Sequence, residues 1–199
     1  METKEISDIT ISWVALSIAF MFLFEGVRIP AIYSLLMYLF IVAVSFLSHE
    51  LGHRQMARRY GFRANYEMWP FGVALAILTS MVGFLFAAPG AVVIRPGKGA
   101  FMGGRKKLNE IGLKISISGI LINIAFGVVF ALFALYLGSG SVFYETLRIA
   151  SGINIWLAIF NLLPIQPLDG SKVLYYNKGV WIATFALSVI LYFSLRGLF

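Results

Sequence analysis

The residues best suited to chemistry are Ser48-His49-Glu50-Leu51-Gly52-His53, which contain the pattern H-E-x-x-H. The chain has two histidines, and both stand in this motif. Side chains four residues apart share one face of a helix, so His49 and His53 can reach the same zinc ion. Glu50, next to His49, is then placed to take a proton from water that the metal activates. There are no cysteines. Thiolate ligands and disulfides are therefore excluded, and any metal site must use His, carboxylates and water.

The elements that position these residues are membrane spans. Of 199 residues, 60% are hydrophobic and 13% charged. Several stretches reach the roughly 20 apolar residues needed to cross a bilayer. The net charge of +7 reads as Lys and Arg gathered on the cytoplasmic side, not as a nucleic-acid surface. Expected spans are Ile9 to Phe24, about Ala31 to Tyr60 with the motif in its second half, Ile111 to Leu137, a fourth starting near Leu147, and Val180 to Leu195. Met1-Glu2-Thr3-Lys4-Glu5 is not a basic leader and no small-residue cleavage site follows, so the first segment reads as a span, not a signal peptide. Pro30 suits the first turn of the second span, and Gly61 its C-cap. Arg54, Arg58, Arg59 and Arg63 make that end basic and cytoplasmic, which places the N-terminus inside as well.

Phe71 to Ile94 is ambiguous on hydropathy alone: an ordinary span, or a segment that enters the membrane and returns. Arg63 precedes it; Arg95, Lys98, Arg105, Lys106 and Lys107 follow. With both flanks basic, it reads as a re-entrant hairpin, expected to be of β-strands. Such backbone is tolerated at membrane depth when protein covers it or it lines a wet cavity.

A catalytic zinc usually takes three protein ligands and one open position. The third must be one of nine acidic residues. Glu2, Glu5 and Asp8 are terminal, Glu25 and Glu145 lie in outer turns, Glu67 and Glu110 in inner loops, and Glu50 is the base. Asp169 remains. Depth agrees: His49 lies 18 residues in from Ala31 and Asp169 22 from Leu147, or roughly 27 and 33 Å at about 1.5 Å per residue. Both helices must then run inward, with an odd number of spans between them. Ile111–Leu137 supplies one, so Phe71–Ile94 must not cross.

His49-Glu50-Leu51-Gly52-His53 followed by Asn161-Leu162-Leu163-Pro164-Ile165-Gln166-Pro167-Leu168-Asp169-Gly170 resembles the site-2 protease family of intramembrane zinc metalloproteases. The likeness covers roughly residues 30 to 178. It implies a three-helix catalytic core, one zinc per chain on His49, His53 and Asp169, and Glu50 as general base. The family's G-P-x-x-N is matched by Gly119-Ile120-Leu121-Ile122-Asn123, with Ile120 in place of proline. The form without PDZ or CBS domain resembles archaeal and some bacterial members.

The expectation is thus an all-α polytopic membrane protein of the cell membrane, with about five transmembrane helices and a re-entrant hairpin. Residues 1–199 form one metalloprotease domain. It would cleave transmembrane segments of other membrane proteins near the cytoplasmic side. Its partners are that substrate and the lipid bilayer, without nucleic acid. Asn123 is the candidate donor to the oxyanion, or else a helix–helix hydrogen-bonding group. Asn154 and Asn161, seven apart on one face, are packing or ligand-orienting groups. Two other readings use the same His/Asp site: a metal-ion transporter, which would need more polar groups along its path, and a non-catalytic binding protein, against which the intact Glu50 argues.

Overall fold

The computed structural model describes residues 3–27, 31–97, 104–141 and 143–196. Glu2, Pro30 and Lys98, named above, lie outside them. In chain order the elements are α1 (Thr3–Glu25), α2 (Ile32–Val42), a π-helical turn (Ala43–Leu47), α3 (Ser48–Arg59), β1 (Arg63–Met68), α4 (Pro70–Ser80), β2 (Gly90–Arg95), α5 (Arg105–Leu137), α6 (Tyr144–Asn161), α7 (Asp169–Tyr176) and α8 (Lys178–Arg196).

Among the described residues, four helices are long and apolar enough to cross a membrane: Thr3–Glu25, Ile32–Arg59, Arg105–Leu137 and Lys178–Leu195. The remaining expected span, the fourth, is α6, which does not reach that apolarity. It carries Glu145, Arg148, Ser151 and Asn154, and it needs less apolar surface because its neighbours cover it. Ala150, Ser151, Ile153, Asn154, Ile155, Leu157 and Ala158 are all buried. Its partner α5 presents small residues to it. A Cβ on Gly127 would sit 2.5 Å from Ile155 Cδ1, and Ser151 Oγ donates to the Gly127 carbonyl at 2.8 Å. Close backbone approach through small residues is how helices associate in lipid.

The hairpin exists, but its strands are not those expected. Phe71–Thr79 is helical, and the partner of β2 is β1, upstream of it. Pro70 occupies the first turn of α4, where its missing N–H costs nothing. The run Val73-Ala74-Leu75-Ala76 favours helix. In Arg63–Met68, Ala64 and Tyr66 are buried while Arg63 and Glu67 are exposed. This is the period-two pattern of a strand. The re-entrant reading itself stands. α4 has 11 residues, roughly 16 Å at about 1.5 Å per residue, against a hydrocarbon core of roughly 30 Å. The chain leaves at Met68 and returns at Gly90, its pairing partner, and Arg63 pairs with Arg95. Both basic flanks therefore lie at one end.

Helix α3 stops as its sequence suggests. Gly61 takes φ +78°, the Gly61 N–H donates to Arg58 O at 2.9 Å and the Phe62 N–H to Ala57 O at 3.1 Å. This is the paired bonding of a Schellman cap. The main core lies among α1, α2, β1, α6 and the segment after α4, with Leu16, Phe20, Tyr38, Ile41, Tyr66 and Leu85 at its centre.

One set of contacts fixes the hairpin against α1 and α3. Glu5, buried in α1, pairs with Arg54 of α3 at 3.2 Å and accepts the Tyr66 N–H at 3.2 Å. Asp8 accepts the Met68 N–H at 3.3 Å. Tyr66 Oη donates to Ser12 Oγ at 2.9 Å. These acidic residues had read only as a polar terminus. They close the outer edge of β1 instead.

Candidate metal centre

His49 and His53 project from α3, one turn apart, and Asp169 opens α7. All three are buried, with their ligand atoms within 4.8 Å of one another. Nε2 of His49 lies 3.0 Å from Nε2 of His53. Oδ2 of Asp169 lies 3.3 Å from the first and 2.8 Å from the second.

The hydrogen bonds on the far side of each ring set its tautomer. His53 Nδ1–H donates to the Ile115 carbonyl at 2.7 Å. His49 Nδ1–H donates to Asn123 Oδ1 at 2.5 Å. The orientation of the Asn123 amide is fixed in turn, because its Nδ2 donates to Ser45 O and to Asn154 Oδ1, both at 3.1 Å. Both Nε2 atoms therefore present lone pairs, and they face a carboxylate oxygen. Three acceptors converging without a donor among them is the arrangement a cation requires. Tetrahedral zinc at roughly 2.0–2.1 Å from its ligands separates them by roughly 3.3 Å, close to the distances found. The residues fit zinc.

Two backbone features make this possible. The π-helical turn Ala43–Leu47 precedes the motif, and its Ser45 carbonyl receives the Asn123 amide. Such turns recur at functional sites. Nothing in the run Ala43-Val44-Ser45-Phe46-Leu47 announces one. On the opposite side, α5 passes against the two rings at Gly119. A Cβ there would lie 2.6 Å from His53 Nε2 and 2.8 Å from His49 Nδ1, so only glycine permits this approach. Ile120, where the family has proline, is buried within an unbroken helix.

Glu50 is 8% exposed, and its Oε2 is buried with no hydrogen-bond partner. Its carboxylate faces the Val92 amide of β2. Asn123 is not arranged as an oxyanion donor. It is fully buried behind His49, and both ends of its amide are already bonded within the bundle. Asn154 acts on the site through it. Asn161 donates to Leu157 O at 3.1 Å and lines the cavity without touching a ligand residue. Sequence reasoning missed Lys172, whose Nζ lies 2.9 Å from Asp169 Oδ1. Burial opposes its charge, but the Asp169 carboxylate outweighs that and raises its pKa. The signal available was its place one turn after Asp169.

If Asn123 fixes the His49 ring, Asn123→Ala should weaken zinc binding by roughly 10–100-fold, as loss of an outer partner does elsewhere. Competition with a calibrated chelator measures this. Unchanged affinity would mean that the ring is held by packing alone.

A cavity of about 450 Å³ adjoins the centre, lined by His49, Glu50, Asp169, Lys172 and the β2 residues Val92 and Ile94. Among the described residues, one edge of β2 pairs with no strand. Opposed residues of an antiparallel pair alternate between bonded and non-bonded. Tyr66 and Met68 give their N–H groups to α1, so their partners Val92 and Gly90 are in non-bonded pairs. By alternation Ile94 is too. Gly90, Val92 and Ile94 thus turn their backbone N–H and C=O groups to the free edge, and all three line the cavity.

No protein-family model matches the chain, and no solved structure does. Among curated proteins it is 37% identical over 179 residues to one of Methanocaldococcus jannaschii named "Putative zinc metalloprotease MJ0611", covering 89% of this chain and 87% of that one. It is 28% identical over 134 residues to "Zinc metalloprotease MJ0392" of the same organism, covering 67% of this chain and 32% of the relative. It is 26% identical over 137 residues to "Putative zinc metalloprotease Rip3" of Mycobacterium tuberculosis, covering 67% and 28%. Those two longer relatives are matched over about a third of their length. With the near-full-length match and the His49, His53 and Asp169 cluster together, the chain belongs to the site-2 protease-like family of zinc metalloproteases.

Proposed function

We propose that this protein is an intramembrane endopeptidase that cleaves transmembrane segments of other membrane proteins near the cytoplasmic side. The whole chain, 1–199, acts as one metalloprotease domain with its N-terminus inside. The observation that carries the reading is the placement of the metal residues and Glu50. His49, Glu50 and His53 lie within a helix that can cross a membrane, Asp169 joins them from the short helix α7, and the cluster adjoins a cavity edged by β2.

Zinc on His49, His53 and Asp169 would polarise the scissile carbonyl and make water acidic enough to attack at neutral pH. Asn123 and the Ile115 carbonyl hold the two imidazoles with Nε2 forward. Glu50 takes the proton of the attacking water and delivers it to the leaving nitrogen. A helical substrate hides its carbonyls in hydrogen bonds, so it must unwind first. The free edge of β2 receives the unwound segment as an added strand, through main-chain pairing that tolerates many side chains.

The test uses purified protein in lipid vesicles with a transmembrane substrate. Zinc-dependent cleavage that a chelator abolishes is expected, with a soluble peptide of the same sequence cleaved less well. In the same vesicles, single cysteines in place of Arg63 and Lys98 should label from the same side as the N-terminus. Cleavage only of soluble peptides would remove the intramembrane reading and leave a metalloprotease.

A further inference from the structure

The two oxygens of Asp169 have different neighbours. Oδ2 faces both Nε2 atoms, at 3.3 and 2.8 Å. Oδ1 accepts from Lys172 Nζ at 2.9 Å. The Asp169 side chain is 11% exposed and that of Lys172 46%, so the lysine reaches from a wetter region to a buried carboxylate. An i,i+3 pair on a helix surface is usually worth little. This one is unusual in two respects. Its acid belongs to the metal cluster, and its base stands one turn into α7, in the N-terminal half of an eight-residue helix, where a cation gains nothing from the helix dipole. Helix stability is therefore not a reason for a lysine at this position.

A carboxylate can bind zinc through one oxygen or two. With two histidines already bound, a second carboxylate oxygen would fill the position a catalytic zinc keeps open. We propose that Lys172 is a positioning residue that occupies Oδ1, restricts Asp169 to coordination through Oδ2, and so keeps the fourth metal position free for water. Any of the three ammonium protons serves this purpose, and the half-exposed stem lets the group follow small movements of the carboxylate. This inference rests on the metal-centre reading above and adds a role that the ligand set alone does not imply.

The test is spectroscopic, on full-length protein in detergent, with cobalt(II) replacing zinc. Wild type should give the intense visible absorption of a four-coordinate ion. Lys172→Met should weaken and shift that band as Asp169 swings to two-oxygen binding, while metal content stays near one per chain. Lys172→Arg should restore the wild-type band, because a guanidinium can also occupy Oδ1. Turnover should follow the spectrum: kcat falls several-fold in Lys172→Met, KM holds, and Lys172→Arg recovers. If Lys172→Met does not yield folded protein, Lys172→Leu, which likewise carries no donor, gives the same readout. A wild-type band in both neutral variants would overturn the proposal. A wild-type protein that takes up neither cobalt nor zinc would instead overturn the metal centre itself.

Discussion

Glu50→Gln should still hold about one zinc per chain and cleave roughly 10²–10⁴-fold more slowly, the contribution of a positioned general base. The substitution keeps shape and removes the ability to accept a proton. Zinc should survive it because the three converging acceptors are His49, His53 and Asp169, each oriented by groups other than Glu50. The buried Oε2 makes no hydrogen bond that the amide would break. Changing His49, His53 or Asp169 to Ala should instead remove zinc and activity together. Metal analysis beside a cleavage assay separates the two classes. Wild-type turnover in Glu50→Gln would strip Glu50 of its role, and loss of zinc would place it among the ligands.

The second large effect concerns the edge of β2. Proline removes one backbone donor. At Ile94 the lost N–H is the one turned to the cavity, and at Val92 it is the one that faces Glu50, so the ladder to β1 survives at both and Ile94 isolates the effect on substrate pairing. Cleavage of a transmembrane substrate should fall by 10-fold or more, with zinc content unchanged. At Ala91 or Val93 the lost N–H belongs to the ladder, and the hairpin itself should loosen, seen as faster proteolysis of Arg63–Arg95. Gly90 is unsuitable, since any Cβ there meets the Tyr66 ring and hydroxyl. A short soluble peptide, already extended, should be less affected. Equal cleavage by all four variants would show that substrate does not pair with this edge.

How much of this was legible beforehand follows from the scarcity of charge. In a chain with nine acidic residues, elimination could isolate Asp169, and the depth argument could reject a span at Phe71–Ile94. The structure brings Asp169 to the two histidines and has no span-length helix at Phe71–Ile94; the choice was narrow because ionisable groups are costly in lipid and few remain to choose among. Strand β1 was not legible. Arg63-Ala64-Asn65-Tyr66-Glu67-Met68 reads as a polar loop, and its partner begins 22 residues further on. Its stability comes from Glu5 and Asp8, which no local pattern connects to it. Asn123 was found as a polar group at the right place, but its role depends on which way the amide faces. Ser45 and Asn154, on two other elements, decide that. Lys172 was passed over because a lysine near a cytoplasmic boundary is what topology alone predicts.

The carboxylates of α1 also bear on solubility and self-association. A two-stranded ribbon ordinarily offers two open edges, and either could recruit another copy and grow into a sheet. Here Glu5 and Asp8 cover the Tyr66 and Met68 donors on one edge, and the other borders the cavity beside the metal residues. The hairpin can therefore accept a single visiting strand and stop at three. A hairpin proposed to receive unfolded backbone is in this way kept from pairing with its own kind.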